Sequence, residues 1–255
     1  MKILALCLAA TLQAQINAPR VGIARYSGGQ VRTIYGIEAN FIVGEPLPTT
    51  AAAVSFSDFG GLISRGGHIQ LIRRDGSLIA DCDCGEAAPV LNIDGTLTTA
   101  IAWLPSRQAL LHWNGKSFVL TQLTSAISEY VTSLRIQDPN SATLLLLTIG
   151  GKILEATVSL ETGNLMSMNP LPEIRGPALL QHSFIVFHDR AGLEIKAADG
   201  ALRTLSFPIG DLTIERMSSD WLHLSSATTR QDWALHLSNV SLHLSQLPAL
   251  REAGK

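Results

Sequence analysis

Residues Ile69–Ile79 read as two short strands joined by a tight turn at Asp75-Gly76. Asp-Gly between apolar runs is a strong hairpin signal, because the favoured turn needs positive φ and glycine accepts it without steric cost. The device returns along the chain at Gly28-Gly29, Asn114-Gly115, Thr162-Gly163 and Asp199-Gly200, and once more between Asn239 and Val240. With Gly29, Gly76, Gly115, Gly163, Gly200 and Val240 as markers, the steps are 47, 39, 48, 37 and 40 residues. Their mean of about 42 is the length of a four-stranded propeller blade.

The phase repeats as well. One apolar run lies just upstream of most turns, as in Gly61-Leu62-Ile63, Ala100-Ile101-Ala102-Trp103 and Leu144–Leu147. A second lies upstream of that, as in Ala52–Phe56, Pro89–Ile93 and Val131–Ile136. Two runs and a hairpin make four strands per unit. An ordinary β-sandwich also has regularly spaced strands, but it carries no longer period. The expected fold is therefore all-β, a propeller of about six blades with the first reduced or incomplete.

Composition fits buried strands. The chain of 255 residues is 46% hydrophobic and only 16% charged. A blade is covered on both faces, so a run such as Leu144–Leu147 need not alternate with polar residues, and it is too short to span a bilayer. A net charge of −2 with no basic stripe argues against a nucleic-acid partner. Aromatics are 5%, thin for a sugar-stacking surface, although Trp103, Trp113, Trp221 and Trp233 offer a few platforms.

Residues 1–14 read as a secretory signal, with Lys2 at the start, an apolar core at Ile3–Ala10 and cleavage after Ala14. Cys7 follows Leu6, where a lipoprotein signal needs a small residue, so no lipid anchor is expected. No other stretch is long and apolar enough to span a membrane. The propeller is expected over 16–248 and a loose tail over 249–255. One hairpin, Val21–Tyr26 with Val31–Tyr35, precedes a connector at Ile37–Pro48. Five complete units follow, with boundaries near 86, 127, 173 and 211 in polar or Pro/Gly-containing sequence. Either the first hairpin forms a reduced sixth blade or the chain lacks a C-terminal portion that would complete it.

The secretory start, the segment Val31–Leu47 and the Asp-Gly hairpins resemble secreted bacterial β-propeller repeat proteins of uncharacterised function, of the type common among acidobacteria. The resemblance implies a propeller outside the cytoplasm and transfers no active-site residues. Asp220-Trp221 and Asp232-Trp233 lack the Gly-His partner of WD repeats, and the double glycines keep no kelch spacing.

Leu-His-Leu-Ser occurs at 222–225, 235–238 and 242–245. A hairpin centred between Asn239 and Val240 pairs Leu237 with Leu242 and sets His236 opposite His243, with Cβ atoms about 5 Å apart. His223 joins them if the preceding loop has matching parity. Two or three histidines on adjacent strands suit zinc or copper, and the competing reading is cross-strand packing. Cys82 and Cys84 lie on one side of a strand, where a disulfide two residues apart is strained, so free thiols or a strained bridge are expected, with a metal or redox pair as the competing reading. Asp75, Asp94 and Asp199 each precede glycine and read as turn residues. Asn239-Val240-Ser241 is the single glycosylation sequon.

No nucleophile elbow and no carboxylate pair stand out. Catalytic residues therefore stay unassigned and no cofactor is expected. The expected function is a secreted or periplasmic, non-enzymatic binding or scaffolding module. A protein or carbohydrate would dock on a blade-loop face or at the central channel, and the chain is expected to be a monomer. The alternative is a polysaccharide hydrolase or lyase with its site at the channel mouth. A third reading is a metal-binding domain built on the histidine face.

Overall fold

The computed structural model describes residues 18–189, 192–207, 211–238 and 241–250. The signal expected at residues 1–14 lies outside the described residues, as do 251–255 of the tail. Among the described residues, all regular structure is β apart from two short 3-10 turns.

Six antiparallel sheets follow one another along the chain. Blade 1 comprises β1 (Arg20–Arg25), β2 (Gln30–Ile37) and β3 (Asn40–Thr50). Blade 2 comprises β4 (Ala53–Phe56), β5 (Gly60–Arg65), β6 (His68–Arg73) and β7 (Leu78–Asp83). Blade 3 comprises β8 (Val90–Ile93), β9 (Ala100–Leu104), β10 (Ala109–Trp113) and β11 (Phe118–Gln122). Blade 4 comprises β12 (Tyr130–Asp138), β13 (Ser141–Leu147), β14 (Lys152–Ser159) and β15 (Leu165–Arg175). Blade 5 comprises β16 (Ala178–Gln181), β17 (Phe184–His188), β18 (Leu193–Ala197) and β19 (Leu202–Leu205). Blade 6 comprises β20 (Leu212–Arg216), β21 (Trp221–Ser226), β22 (Gln231–Leu237) and β23 (Leu242–Gln246). The all-β propeller of about six blades expected from the repeat is the observed fold.

The marker hairpins join the third and fourth strands of blades 2 to 6. Asp75 and Asp199 accept the N–H two residues on, from Ser77 and Ala201, which is the turn chemistry read from the sequence. Asp94 departs from that reading and faces Arg216 of another blade at 3.5 Å.

Six apolar clusters hold the ring, one at each junction between neighbouring blades. Side-chain alternation along a strand divides its residues between two junctions. In β9, Ile101 and Trp103 pack toward blade 4, whereas Ala100, Ala102 and Leu104 pack toward blade 2. In the Leu144–Leu147 run, Leu144 and Leu146 join the blade 3 junction and Leu145 joins the blade 5 junction. The run is continuous because neither face of the strand meets water.

Two segments differ from expectation. The connector expected at Ile37–Pro48 is mostly the strand β3, paired with β2. The boundary expected near 173 falls inside β15, whose Pro170 sits opposite Leu154. Both strands lie at the edge of their sheets, where proline's missing N–H deprives no neighbour of a bond. Pro46-Leu47-Pro48 and Pro170-Leu171-Pro172 therefore read as breaks but fold as edge strands.

Blade 1 meets blade 6 through close backbone contact. The Ile23 N–H donates to the Met217 carbonyl at 2.9 Å. A Cβ on Gly22 would stand 2.4 Å from that same oxygen, so only glycine lets β1 approach. Leu250, placed in the expected tail, packs against this junction.

Candidate functional site

The first strands of blades 2 to 6 each carry a polar residue within an apolar run, and these residues meet at the ring axis. Ser55 Oγ accepts from Ile93 N at 3.2 Å, and Ser133 Oγ accepts from Leu180 N at 3.0 Å. Asn92 donates to the Leu134 carbonyl. Gln181 donates to the carbonyls of Ser218 and Ser219. Each bond ties one blade to the next, and Ser55, Asn92, Ser133 and Gln181 are all buried.

Arg216 closes this belt. Its guanidinium donates to Asn92 Oδ1 at 3.3 Å, to the Ile93 carbonyl at 3.2 Å and to the Leu180 carbonyl. Asp94 lies 3.5 Å away. Burial pushes the Arg216 pKa down to about 10, with Asp94 opposing, so the guanidinium stays charged at neutral pH. The axis is therefore filled by a buried polar fan. It is neither the ring of carboxylates and histidines that a hydrolase mouth would show nor a lining of small apolar groups.

Above the fan, where these first strands end, lies a cavity of about 250 Å³ lined by Asp94, Gly95, Arg135, Ile136, Gln137 and His182. His182 Nε2 donates to the Ser219 carbonyl at 2.6 Å, with Asp220 at 3.8 Å. Arg135 donates to the His182 carbonyl. Gln137 is fixed by Thr143, whose hydroxyl donates to its Oε1 at 3.0 Å. A carboxylate, a guanidinium, an amide and an imidazole, each with a fixed partner, thus border one axial mouth. Side chains so held lose little entropy on binding a ligand.

The histidines expected as metal ligands divide into two settings. The register sets His236 opposite His243. Glu38, from the turn between β2 and β3, meets His236 Nδ1 at 2.9 Å and His243 Nδ1 at 3.6 Å. Trp221 stacks on His236 with ring centroids 4.5 Å apart. His223 is buried elsewhere, opposite Ala234, with its Nε2 2.9 Å from Asp232 Oδ1 and its ring beside Tyr26. Among the described residues, no three His, Cys, Asp or Glu side chains are grouped as a metal ion requires. Cys82 and Cys84 are free thiols. Burial, then the neighbouring Cys84, raises the Cys82 pKa, which makes it a poor nucleophile at neutral pH.

Sequence reasoning did not single out Arg216, Asn92, Arg135, His182 or Glu38. A usable signal existed for the belt, since Ser55, Asn92, Ser133 and Gln181 interrupt the apolar first run of successive units. The Glu38 clamp had none, because it joins residues 198 positions apart.

No protein-family model matches the chain, and no curated protein matches it. Solved structures do. The putative TolB from Agrobacterium tumefaciens is 12% identical with a TM-score of 0.53, over 82% of this chain and 84% of that one. PorZ from Porphyromonas gingivalis, described as a surface component of the type-IX secretion system, is 10% identical with a TM-score of 0.50. That match covers 91% of this chain but 39% of PorZ. At these identities the likeness concerns the fold alone.

Proposed function

We propose that the protein is a secreted or periplasmic binding module that takes its ligand at the axial mouth bordered by Asp94, Arg135 and His182. The observation that carries this reading is the mouth cavity itself. Asp94, Arg135 and His182 are held by partners in other blades, Gln137 by Thr143 of its own blade, and they sit over the buried Arg216 fan. Such a constellation recognises hydroxyls, amides and charged groups of a protein loop or a sugar without rearranging. The role outside the cytoplasm rests on the signal-like residues 1–14. Among the described residues no helix is long and apolar enough to cross a membrane.

The test is a screen of the full chain against glycan and peptide arrays, repeated with the Asp94→Ala/His182→Ala variant. The double variant should lose the wild-type signals; because Asp94 faces the buried Arg216, the control is a retained folded circular-dichroism spectrum and a cooperative, though lower, melting transition. Signals that survive the double substitution would place the ligand elsewhere. Fractionation of the producing cell tests the location, and a chain retained in the cytoplasm with residues 1–14 intact would overturn it.

A further inference from the structure

A second site lies on the seam between blades 1 and 6, away from the axial mouth. Two cavities, of about 440 and 490 Å³, share Tyr26, Ser27, Arg230, Gln231 and Asp232 as lining. Each volume falls in the range of about 300–1,000 Å³ common for small-molecule sites.

The wall between them is a built polar cluster. Asp232 is oriented by buried His223 at 2.9 Å and is itself partly exposed. Tyr26 is 2% exposed, and its hydroxyl has no hydrogen-bond partner. The same holds for Nε of Arg32, whose other nitrogens donate to the Gly44 carbonyl and to Gln30 Oε1. Among the described residues, two donors just behind this wall are thus left without an acceptor, a costly arrangement for a purely structural seam.

The charge balance points the same way. Arg25 forms a forked pair with Glu215, at 2.6 to 3.2 Å, and the two cancel. Among the described lining residues, Arg32 and Arg230 remain against the carboxylate of Asp232. Arg230 is exposed, on a turn where its φ of +54° projects it from the end of the β21–β22 hairpin. Leu247 and Leu250 give the first cavity an apolar side. Guanidinium and phenol donors call for an oxyanion, Asp232 calls for hydroxyl donors, and the leucines call for a C–H face. We infer that the seam binds a sugar acid of one or two residues, its carboxylate on Arg32 and Arg230 and its hydroxyls on Asp232.

The experiment is calorimetric titration of the full chain with glucuronate and galacturonate, their neutral parents glucose and galactose, and inorganic phosphate. A uronate should bind saturably and about tenfold or more tightly than its neutral parent. Arg230→Ala should weaken it by about tenfold, and Tyr26→Phe should weaken it without lowering the melting temperature, since it removes an unpartnered buried hydroxyl. Failure of both uronates to saturate would overturn the site. Neutral sugars or phosphate binding as well as the uronates would overturn the ligand class. Loss of binding through Arg135→Ala, with Arg230→Ala silent, would move the ligand to the axial mouth.

Discussion

Glu38 Oε1 lies 2.9 Å from His236 Nδ1, and that contact joins the first blade to the last. The two residues come from sheets that share no strand. Among the described residues, the seam is therefore closed by side chains and one backbone bond, that of Ile23 N to the Met217 carbonyl.

The Glu38–His236 pair should contribute modestly. Both side chains are partly exposed, at 41% and 25%, so solvent screens the attraction. A double-mutant cycle with Glu38→Ala and His236→Ala should return a coupling of about 0.5 kcal/mol in urea denaturation, shrinking in high salt. A coupling of zero would leave the seam to its apolar cluster and the backbone bond.

Arg216 should behave differently. Replacing it with Met leaves the carbonyls of Ile93 and Leu180 and the Asn92 amide without their donor in a buried site. The loss should be about 3–5 kcal/mol, read as a lower denaturant midpoint. The Arg216→Lys variant keeps the charge but not the fork, so it should recover only part of the loss. A Met variant as stable as wild type would mean that the axis does not depend on this fan.

Leu144 and Leu145 are sequence neighbours that serve different junctions. Each is fully buried, at 0% exposure, Leu144 toward blade 3 and Leu145 toward blade 5. Leu144→Ala and Leu145→Ala should each lose about 2–5 kcal/mol. A strand with one solvated face would show that loss at only one of the two positions. Chemical denaturation of both variants separates the cases.

Much of this architecture was legible in the residues. The Asp-Gly hairpins announce themselves locally, because a two-residue turn needs a particular backbone and only a few residue types supply it. The blade length follows from spacing those turns. What the residues hide is non-local. Pro46 and Pro170 look like breaks because a sequence does not say which strand will be outermost. Asp94 looks like its turn-forming counterparts Asp75 and Asp199, and only the closed ring brings Arg216 to it. His236 and His243 were legible as a cross-strand pair from hairpin register, whereas Glu38 reaches them only after the ring closes.

Glu86 supplies a pH-dependent test of the link between blade 2 and blade 3. It is 5% exposed and follows β7 in a loop. Its carboxylate accepts from the Ser106 N–H at 2.9 Å and the Ser106 hydroxyl at 2.6 Å, and from the N–H groups of Ala87 and Ala88. Burial alone would raise its pKa. The bonds from Ser106, Ala88 and Ala87 outweigh that, and the net value lies below the ordinary 4.5. A folded-state pKa below the unfolded one stabilises the fold above the unfolded value. That stability is lost as pH falls from the ordinary carboxylate range through the lower folded value. Glu86→Gln should therefore be about 1–2 kcal/mol less stable than wild type at neutral pH. The gap should narrow as the pH drops below about 4.5, because wild type then loses the contribution that the amide never had. Denaturant midpoints measured across that window decide the matter. A gap that stays constant down to acid pH would show that the carboxylate's charge is not what holds the Ser106 turn.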